Sequence, residues 1–309
     1  MKIIFMGTPE FAVHSLEALV NAGHEVMAVI SQPDKKKGRG NKLQKTPVKV
    51  AAETHDLPVY QPEKARDPEF VAKLEAMQPD LIAVTAYGQI LPESILNIPK
   101  FGCINVHGSL LPKYRGAAPM QWAIIDGEAT TGITTMYMAK GMDTGDMLLT
   151  VEIPILDEDN FPKIHDKMAK AGADLLVETL AKLESGDCQR IPQNDSEATH
   201  ARMIYKEDGC ISWEKSGRDI KNLVRGLDPS PAAYTVLDGE MLKIFWGEAE
   251  AFSGTGALGE VLEADKNGIL VKCGDGAFRI LELQMKGKKR MAASAFLLGN
   301  AVAVGTVLG

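Results

Sequence analysis

The stretch KIIFMGTPEFAVHSLEALVNAGHEVMAVIS, residues 2–31, decides the fold class. Residues 2–6 form a short apolar run that ends at Gly7. Pro9 then opens an amphipathic stretch to Ala22 in which Phe11, Leu16, Leu19 and Val20 recur at helical spacing. Proline is tolerated in a first helical turn because its missing N–H has no intrahelical acceptor there. Gly23 stops the helix, and EVMAVIS follows as a second buried strand. Strand, helix and strand in that order imply a right-handed βαβ crossover and a parallel sheet covered on both faces.

The alternation continues down the chain. Helices are predicted near Val48–Thr54 and from Pro68 to Met77, then the apolar strand DLIAVTA at Asp80–Ala86 and the strand CINVH at Cys103–His107. Thr130–Met138 and Met147–Ile155 alternate as strands do, and Ile164–Leu183 reads as one long helix. A Rossmann-like, mostly parallel sheet is the expected first domain, residues 1–189. The segment after Gly186 is polar and aperiodic, which marks 190–205 as a linker. From 206 to 309 the segments are short, β-rich and punctuated by Asp238-Gly239, Asn267-Gly268 and Asp275-Gly276, strong hairpin signals. That pattern predicts a small antiparallel barrel with one helix near Ser216–Gly226.

Composition fits this picture. The chain has 309 residues, 45% hydrophobic and 24% charged, with a mean hydropathy of -0.08, which excludes disordered and fibrous classes. No window approaches the roughly 18–20 apolar residues of a membrane span. Cys103, Cys188, Cys210 and Cys273 are widely spaced, without CxxC or Cys/His clusters, so no metal site is expected. The opening MKIIFMG reads directly as strand and turn, leaving no room for a targeting peptide, so a cytoplasmic location is expected.

The first βα turn, Gly7-Thr8-Pro9-Glu10-Phe11, is not a GxGxxG fingerprint, and no Walker A sequence occurs. Gly7 by itself is best read as a structural turn residue. The chemistry concentrates instead in NVHGSLLPKYRGAAP, Asn105–Pro119. Asn105 and His107 stand two residues apart, so they share one face of an extended strand, at its carboxyl end, where open α/β sheets bind ligands. An amide donor beside an imidazole suits stabilisation of an oxyanion. The Gly/Pro-rich loop that follows is long enough to wrap a ligand with backbone groups. A carboxylate partner is offered by Asp143 in GMDTGDM, with Asp146 as its competitor on spacing alone. A lone NxH or DTG would ordinarily be a strand end and an Asx turn, and spacing does not settle the matter.

NVHGSLLPKYRGAAPMQWAI together with GMDTGDM closely resembles the folate-dependent formyltransferase superfamily. GTPEFA, SQPDKKKGRGNKL and AYGQILP (Ala86–Pro92) resemble the branch whose acceptor is methionyl-tRNA. The likeness runs over essentially the whole chain. It implies an OB-fold-like barrel for the C-terminal domain and transfer of a formyl group from 10-formyltetrahydrofolate to the α-amine of initiator methionyl-tRNA. It further implies that Asn105, His107 and Asp143 are catalytic. By the same resemblance Ser109, Leu110, Leu111 and Pro112, with Tyr87, Gly88, Gln89, Ile90 and Leu91, lie at the folate site. No metal, no membrane and no obligate protein partner are implied, and a monomer is expected. Cys103, surrounded by an apolar strand, is expected to pack.

The charge distribution then acquires a purpose. Net charge is -7, but Asp34–Lys49 carries seven cations against Asp34 and is +6, leaving -13 elsewhere. An acidic chain argues against general nucleic-acid binding, whereas a local basic loop meets phosphates by charge. The resemblance places Lys35, Lys36, Lys37, Arg39 and Lys42 against the acceptor end of the tRNA, with Arg39 as the principal contact. Lys286, Lys288, Lys289 and Arg290 would add nonspecific phosphate contacts from the C-terminal domain. Two rival readings stand beside this one: an N-formyltransferase acting on an amino-sugar nucleotide, and a noncatalytic folate- or RNA-binding module.

Overall fold

The computed structural model describes residues 1–37 and 42–309, and the chain separates into two compact units. One comprises Met1–Pro119, Thr130–Pro154 and His165–Ala201; the other comprises Met120–Ala129, Ile155–Ile164 and Arg202–Gly309.

The first unit runs β1 (Lys2–Gly7), α1 (Glu10–Asn21), β2 (Glu25–Ile30), the short strands β3 (Lys35–Lys37) and β4 (Lys42–Gln44), α2 (Pro47–Thr54), β5 (Val59–Tyr60) and α3 (Pro68–Met77). It continues with β6 (Leu81–Thr85), α4 (Glu93–Leu96), β7 (Cys103–His107), β8 (Arg115–Gly116), α5 (Pro119–Ile125), β9 (Thr130–Tyr137), β10 (Met147–Pro154), α6 (Phe161–Ser185) and β11 (His200–Ala201). All of α5 after Pro119, and the start of α6 to Ile164, belong to the second unit. The sheet order is β10-β9-β7-β6-β1-β2-β5. From β7 to β5 every pairing is parallel, and β9 and β10 add antiparallel strands at one edge.

Local chemistry explains the helices. α1 buries Phe11, Leu16 and Leu19 fully and Val20 partly, as the spacing predicts. α2 begins at Thr46, whose hydroxyl accepts from the Lys49 N–H, and α3 at Asp67, whose carboxylate accepts from the Glu69 N–H. Gly7 serves close approach: a Cβ there would stand 2.8 Å from Ala12 Cβ and from the Phe5 ring. The core on one face of the sheet gathers Ile4, Met6, Ile30, Leu74, Ile82 and Cys103. Burial pushes the Cys103 thiol up to about 12.

Sequence order runs from β1 outward through β2 and β5, then jumps back across β1 to β6 and β7. The switch point therefore lies between β1 and β6, and a crevice is expected outside their carboxyl ends. Three strand ends converge there. Thr8 Oγ1 donates to the Tyr87 carbonyl at 2.8 Å, and the Gln32 amide Nε2 reaches the same carbonyl at 3.3 Å.

In the second unit α7 (Gly217–Leu227) precedes β12 (Ala233–Leu237), β13 (Glu240–Glu250), β14 (Val261–Asp265), β15 (Gly268–Lys272), β16 (Ala277–Met285), β17 (Met291–Ala292) and α8 (Ala293–Leu297). The antiparallel path is β12-β13-β16-β15-β14, with β17 on β16. No ladder joins β12 to β14 among the described residues. The C-terminal tail bonds to both edges instead: Val261 N to Thr306 O, Leu308 N to Gly259 O, and Gly309 N to Val236 O. The sheet wraps a core that includes Ile220, Val224, Ile244, Val271, Phe278 and Ile280.

Candidate active site

Asn105 and His107 sit on β7, in register with Val84 of β6 and Met136 and Thr134 of β9. His107 is buried and Asn105 half-buried. Both nitrogens of the His107 ring face an oxygen. Nε2 lies 3.0 Å from the Tyr114 carbonyl, which can only accept, so Nε2 carries the hydrogen in this contact. Nδ1 faces Asp143 Oδ2 at 3.6 Å. The Asn105 carboxamide takes no hydrogen-bond partner from the described residues.

Asp143 arrives from the β9–β10 connection with φ at +53°, a left-handed conformation that non-glycine residues adopt at a cost. Its Oδ2 accepts from the Gly116 N–H at 2.8 Å. Asp146 is drawn away from the imidazole by Arg190, Nε to Oδ2 3.2 Å. It is Asp143 that reaches His107.

The loop after β7 does not offer its whole backbone to a ligand, contrary to the expectation from its glycines and prolines. From Tyr114 to Ala118 the donors are engaged by protein. Tyr114 N–H goes to Thr199 Oγ1, Arg115 N–H to the Thr199 carbonyl, Gly116 N–H to Asp143, and Ala117 and Ala118 N–H to the Ala201 carbonyl. β8 and β11 pair in parallel as part of this contact. Gly116 has φ at +122°, and a Cβ on it would stand 2.6 Å from the Ala201 carbonyl, so only glycine fits. Arg115 is buried, its Nε donating to Gln193 Oε1 at 2.9 Å and its Nη2 to Asp195 Oδ1 at 2.8 Å. Gln193 in turn donates to the carbonyls of Asp143 and Gly145, both at 2.8 Å. Sequence reading missed Gln193, Thr199 and the inward turn of Arg115. Hydrophobic periodicity carries no signal for polar bridges between distant segments.

The folate candidates divide by what their side chains do. Ser109 is fully buried and its hydroxyl donates to the Lys113 carbonyl at 2.6 Å. Thr134 Oγ1 donates to the Ser109 carbonyl and accepts from the Leu111 N–H, stitching 109–111 onto β9. Leu110 and Pro112 are half-buried, and Leu111 is buried. Tyr87 packs into the sheet core, where burial pushes its phenol up to about 12, and Gln89 is spent on Ala65 N–H and the Pro62 carbonyl. Gly88 has no such engagement, Leu91 is buried, and Ile90 is 83% exposed. The segment 86–91 thus turns Tyr87, Gln89 and Leu91 inward and leaves Ala86, Gly88 and Ile90 exposed, with the Tyr87 carbonyl taken by Thr8 and Gln32. Two buried hydroxyls at this end of β6, Thr85 Oγ1 and Tyr87 Oη, have no partner among the described residues.

The described parts of the basic segment are tied into the fold. Lys35–Lys37 pairs antiparallel with Lys42–Gln44. Lys49 Nζ bonds Asp34 Oδ2 and Gln61 Oε1 at 2.7 Å each, and Ser31 Oγ lies 2.7 Å from Thr46 Oγ1. Lys45 pairs with Glu53. Two of the seven cations are therefore neutralised locally, while Lys35, Lys36 and Lys42 are exposed without a carboxylate partner among the described residues. Arg39 and the Lys37 side chain lie outside the described residues. In the second unit Arg290 is held by Asp228 and Glu282, and Lys286 pairs with Glu240. Lys288 and Lys289 are exposed.

Among the described residues no group of three or more His, Cys, Asp or Glu side chains could hold a metal ion, and no helix is long and apolar enough to cross a membrane.

Two family models match the chain: formyl transferase over residues 1–180, and formyl transferase C-terminal domain over 203–301. The chain belongs to the formyl transferase family. Within this family it is 50% identical over 309 residues to a methionyl-tRNA formyltransferase of Citrifermentans bemidjiense, covering 100% of this chain and 96% of that one. A methionyl-tRNA formyltransferase of Acetivibrio thermocellus is 50% identical over 310 residues and is covered completely, as is this chain. Among solved structures, HypX from Aquifex aeolicus in complex with tetrahydrofolic acid superposes with a TM-score of 0.65 at 20% identity, over 99% of this chain and 50% of that one. At that identity the likeness is one of fold.

Proposed function

We propose that this formyl transferase moves the formyl group of 10-formyltetrahydrofolate to the α-amine of methionine on initiator tRNA. The observation that carries the reading is the meeting of Asn105, His107 and Asp143 beside the sheet's switch point. Full-length relatives that are methionyl-tRNA formyltransferases support the choice of acceptor.

The amine nitrogen attacks the formyl carbon, forming one C–N bond and a tetrahedral oxyanion. Collapse breaks the bond to N10 of the folate. The amine loses a proton and N10 gains one, leaving formyl-methionyl-tRNA and tetrahydrofolate. Asn105 donates from its amide to the oxyanion, where a positioned donor is worth about 10²–10³ in rate. His107 is the second polarising group and proton carrier: its Nε2 hydrogen, held by the Tyr114 carbonyl in this structure, passes to the oxyanion while Nδ1 stays against Asp143. Asp143 holds the imidazole and assists proton removal; its 3.6 Å separation is of the kind that tightens as a reacting group arrives.

Folate is assigned to the crevice at the carboxyl ends of β1, β6 and β7. The pterin lies against the backbone of Tyr87–Leu91, with Ser109–Pro112 as the opposite wall. The unpartnered Thr85 hydroxyl fits a polar ligand there, since leaving such a group unsatisfied costs roughly 1–3 kcal/mol. Lys35, Lys36 and Lys42, with Lys37 and Arg39, meet tRNA phosphates; Lys288 and Lys289 do so from the second unit, where Lys286 and Arg290 are already paired. The enzyme is assigned to the cytoplasm as a monomer, in domains 1–189 and 206–309.

Turnover with initiator methionyl-tRNA, set against amino-sugar nucleotides at matched 10-formyltetrahydrofolate, tests the proposal. Formyl transfer to the tRNA at least about a hundredfold more efficient in kcat/KM is expected. Preference for the sugar would transfer the assignment to that class, and folate binding without any turnover would leave a noncatalytic module.

A further inference from the structure

We infer that Gln193 is a positioning residue for the formyl transfer, holding Asp143 in its working conformation from a segment that looks in sequence like a linker. The inference rests on the reading of Asp143 as part of the catalytic group. Its basis is the arrangement of three hydrogen bonds. The Gln193 amide gives one hydrogen to the Asp143 carbonyl and the other to the Gly145 carbonyl, both at 2.8 Å. Its oxygen accepts from Arg115 Nε at 2.9 Å. The chemistry of the partners fixes the amide's orientation: two carbonyls can only accept, and a guanidinium can only donate.

This bridge acts on both ends of Asp143. Through the two carbonyls it clamps the turn in which Asp143 takes its left-handed φ of +53°. Such a conformation persists only where surrounding contacts over-determine it. Through Arg115 it fixes the residue next to Gly116, and the Gly116 N–H is the donor that holds the Asp143 carboxylate at 2.8 Å. Arg115 is itself anchored by Asp195, so Gln193 and Asp195 grip one buried guanidinium from the same segment. The backbone and the carboxylate of Asp143 are thereby referred to one rigid frame. A carboxylate aimed at an imidazole needs this, because a misplacement of about 1 Å can cost on the order of a hundredfold in rate.

Gln193→Glu separates this role from simple packing. The substitution keeps the shape and the acceptor for Arg115 but removes both donors and sets an anion against two carbonyls. We expect kcat to fall at least about tenfold, with KM for methionyl-tRNA and the affinity for tetrahydrofolate changed less than about twofold. The pH profile of kcat should shift as well, because the carboxylate facing His107 moves. In an Asp143→Asn background the same substitution should lose most of its effect, to less than about threefold, because a residue that acts through Asp143 has nothing left to position. Equal losses in both backgrounds, or an unchanged kcat in the single variant, would overturn the inference. Unchanged activity in Asp143→Asn alone would instead sink the catalytic reading of Asp143, and that result is read without Gln193. Should the glutamate variant fail to bind tetrahydrofolate, Gln193→Met, equally long, removes both donors together with the acceptor for Arg115, and the same comparison of the two backgrounds decides the inference.

Discussion

Gly116 donates its backbone N–H to Asp143 Oδ2 at 2.8 Å across 27 residues of sequence, while the same oxygen faces His107 Nδ1 at 3.6 Å. The loop that follows His107 and the turn that carries its carboxylate partner are thus one mechanical unit. The carboxylate is directed by a backbone group that no side-chain substitution removes directly.

The first prediction concerns this pair. His107→Ala removes the polarising group and should lower kcat by about 10²-fold or more, with tetrahydrofolate affinity retained. Asp143→Asn keeps the acceptor oxygen for Gly116 but removes the charge beside the imidazole, and a comparable loss of kcat with an altered pH profile is expected. Steady-state kinetics and equilibrium binding of a folate analogue check both. Near-normal turnover in either variant would return that residue to a structural role.

The second prediction separates attraction to tRNA from chemistry. Lys35, Lys36 and Lys42 are exposed and without carboxylate partners among the described residues, while Lys45 and Lys49 are paired internally. Replacing Arg39 by Ala, or excising residues 38–41, should raise KM for methionyl-tRNA and flatten the log–log dependence of its use on salt. The slope should become shallower by about 0.7–0.9 for each phosphate that the enzyme no longer neutralises. Tetrahydrofolate affinity should hold. An identical salt slope in the shortened enzyme would remove the segment from tRNA recognition and favour an amino-sugar acceptor.

A third prediction is read in acid. Hydrogen bonds from Gln61, then from Lys49, hold the Asp34 carboxyl below the usual carboxylate range. A depressed folded value means that the stabilisation is present in full above the unfolded pKa of about 3.9 and is lost as pH falls through the folded value. Thermal melts of the native protein and Asp34→Asn should therefore differ by a constant gap from pH 7 to about pH 4, with the native protein the more stable. The gap should close below that. A gap that closes already above pH 5 would show that the Lys49 and Gln61 hydrogen bonds do not stabilise the charged form.

Much of this was legible from residues alone, and for local reasons. The alternation of apolar runs with helical spacing placed β1, α1, β2, α3, β6 and β7 to within a residue or two. Asn105 and His107 could be read as neighbours because two residues along a strand always share a face. The short elements, β5, β8 and β11, were not legible, since two paired residues have no periodicity of their own.

What the sequence by itself determined was the α/β class, the β-rich C-terminal segment and the strand end on which the chemistry sits. These follow from periods of 2 and 3.6 residues and from turn chemistry, all expressed within a dozen neighbours. Only the tertiary structure decided that Asp143 rather than Asp146 reaches His107, that Arg115 turns inward, and that Gln193 and Thr199 brace the loop from 78 and 85 residues away in sequence. Those choices are made by a few polar contacts between distant segments, and one polar residue in a loop resembles another until the fold has brought its partner within reach.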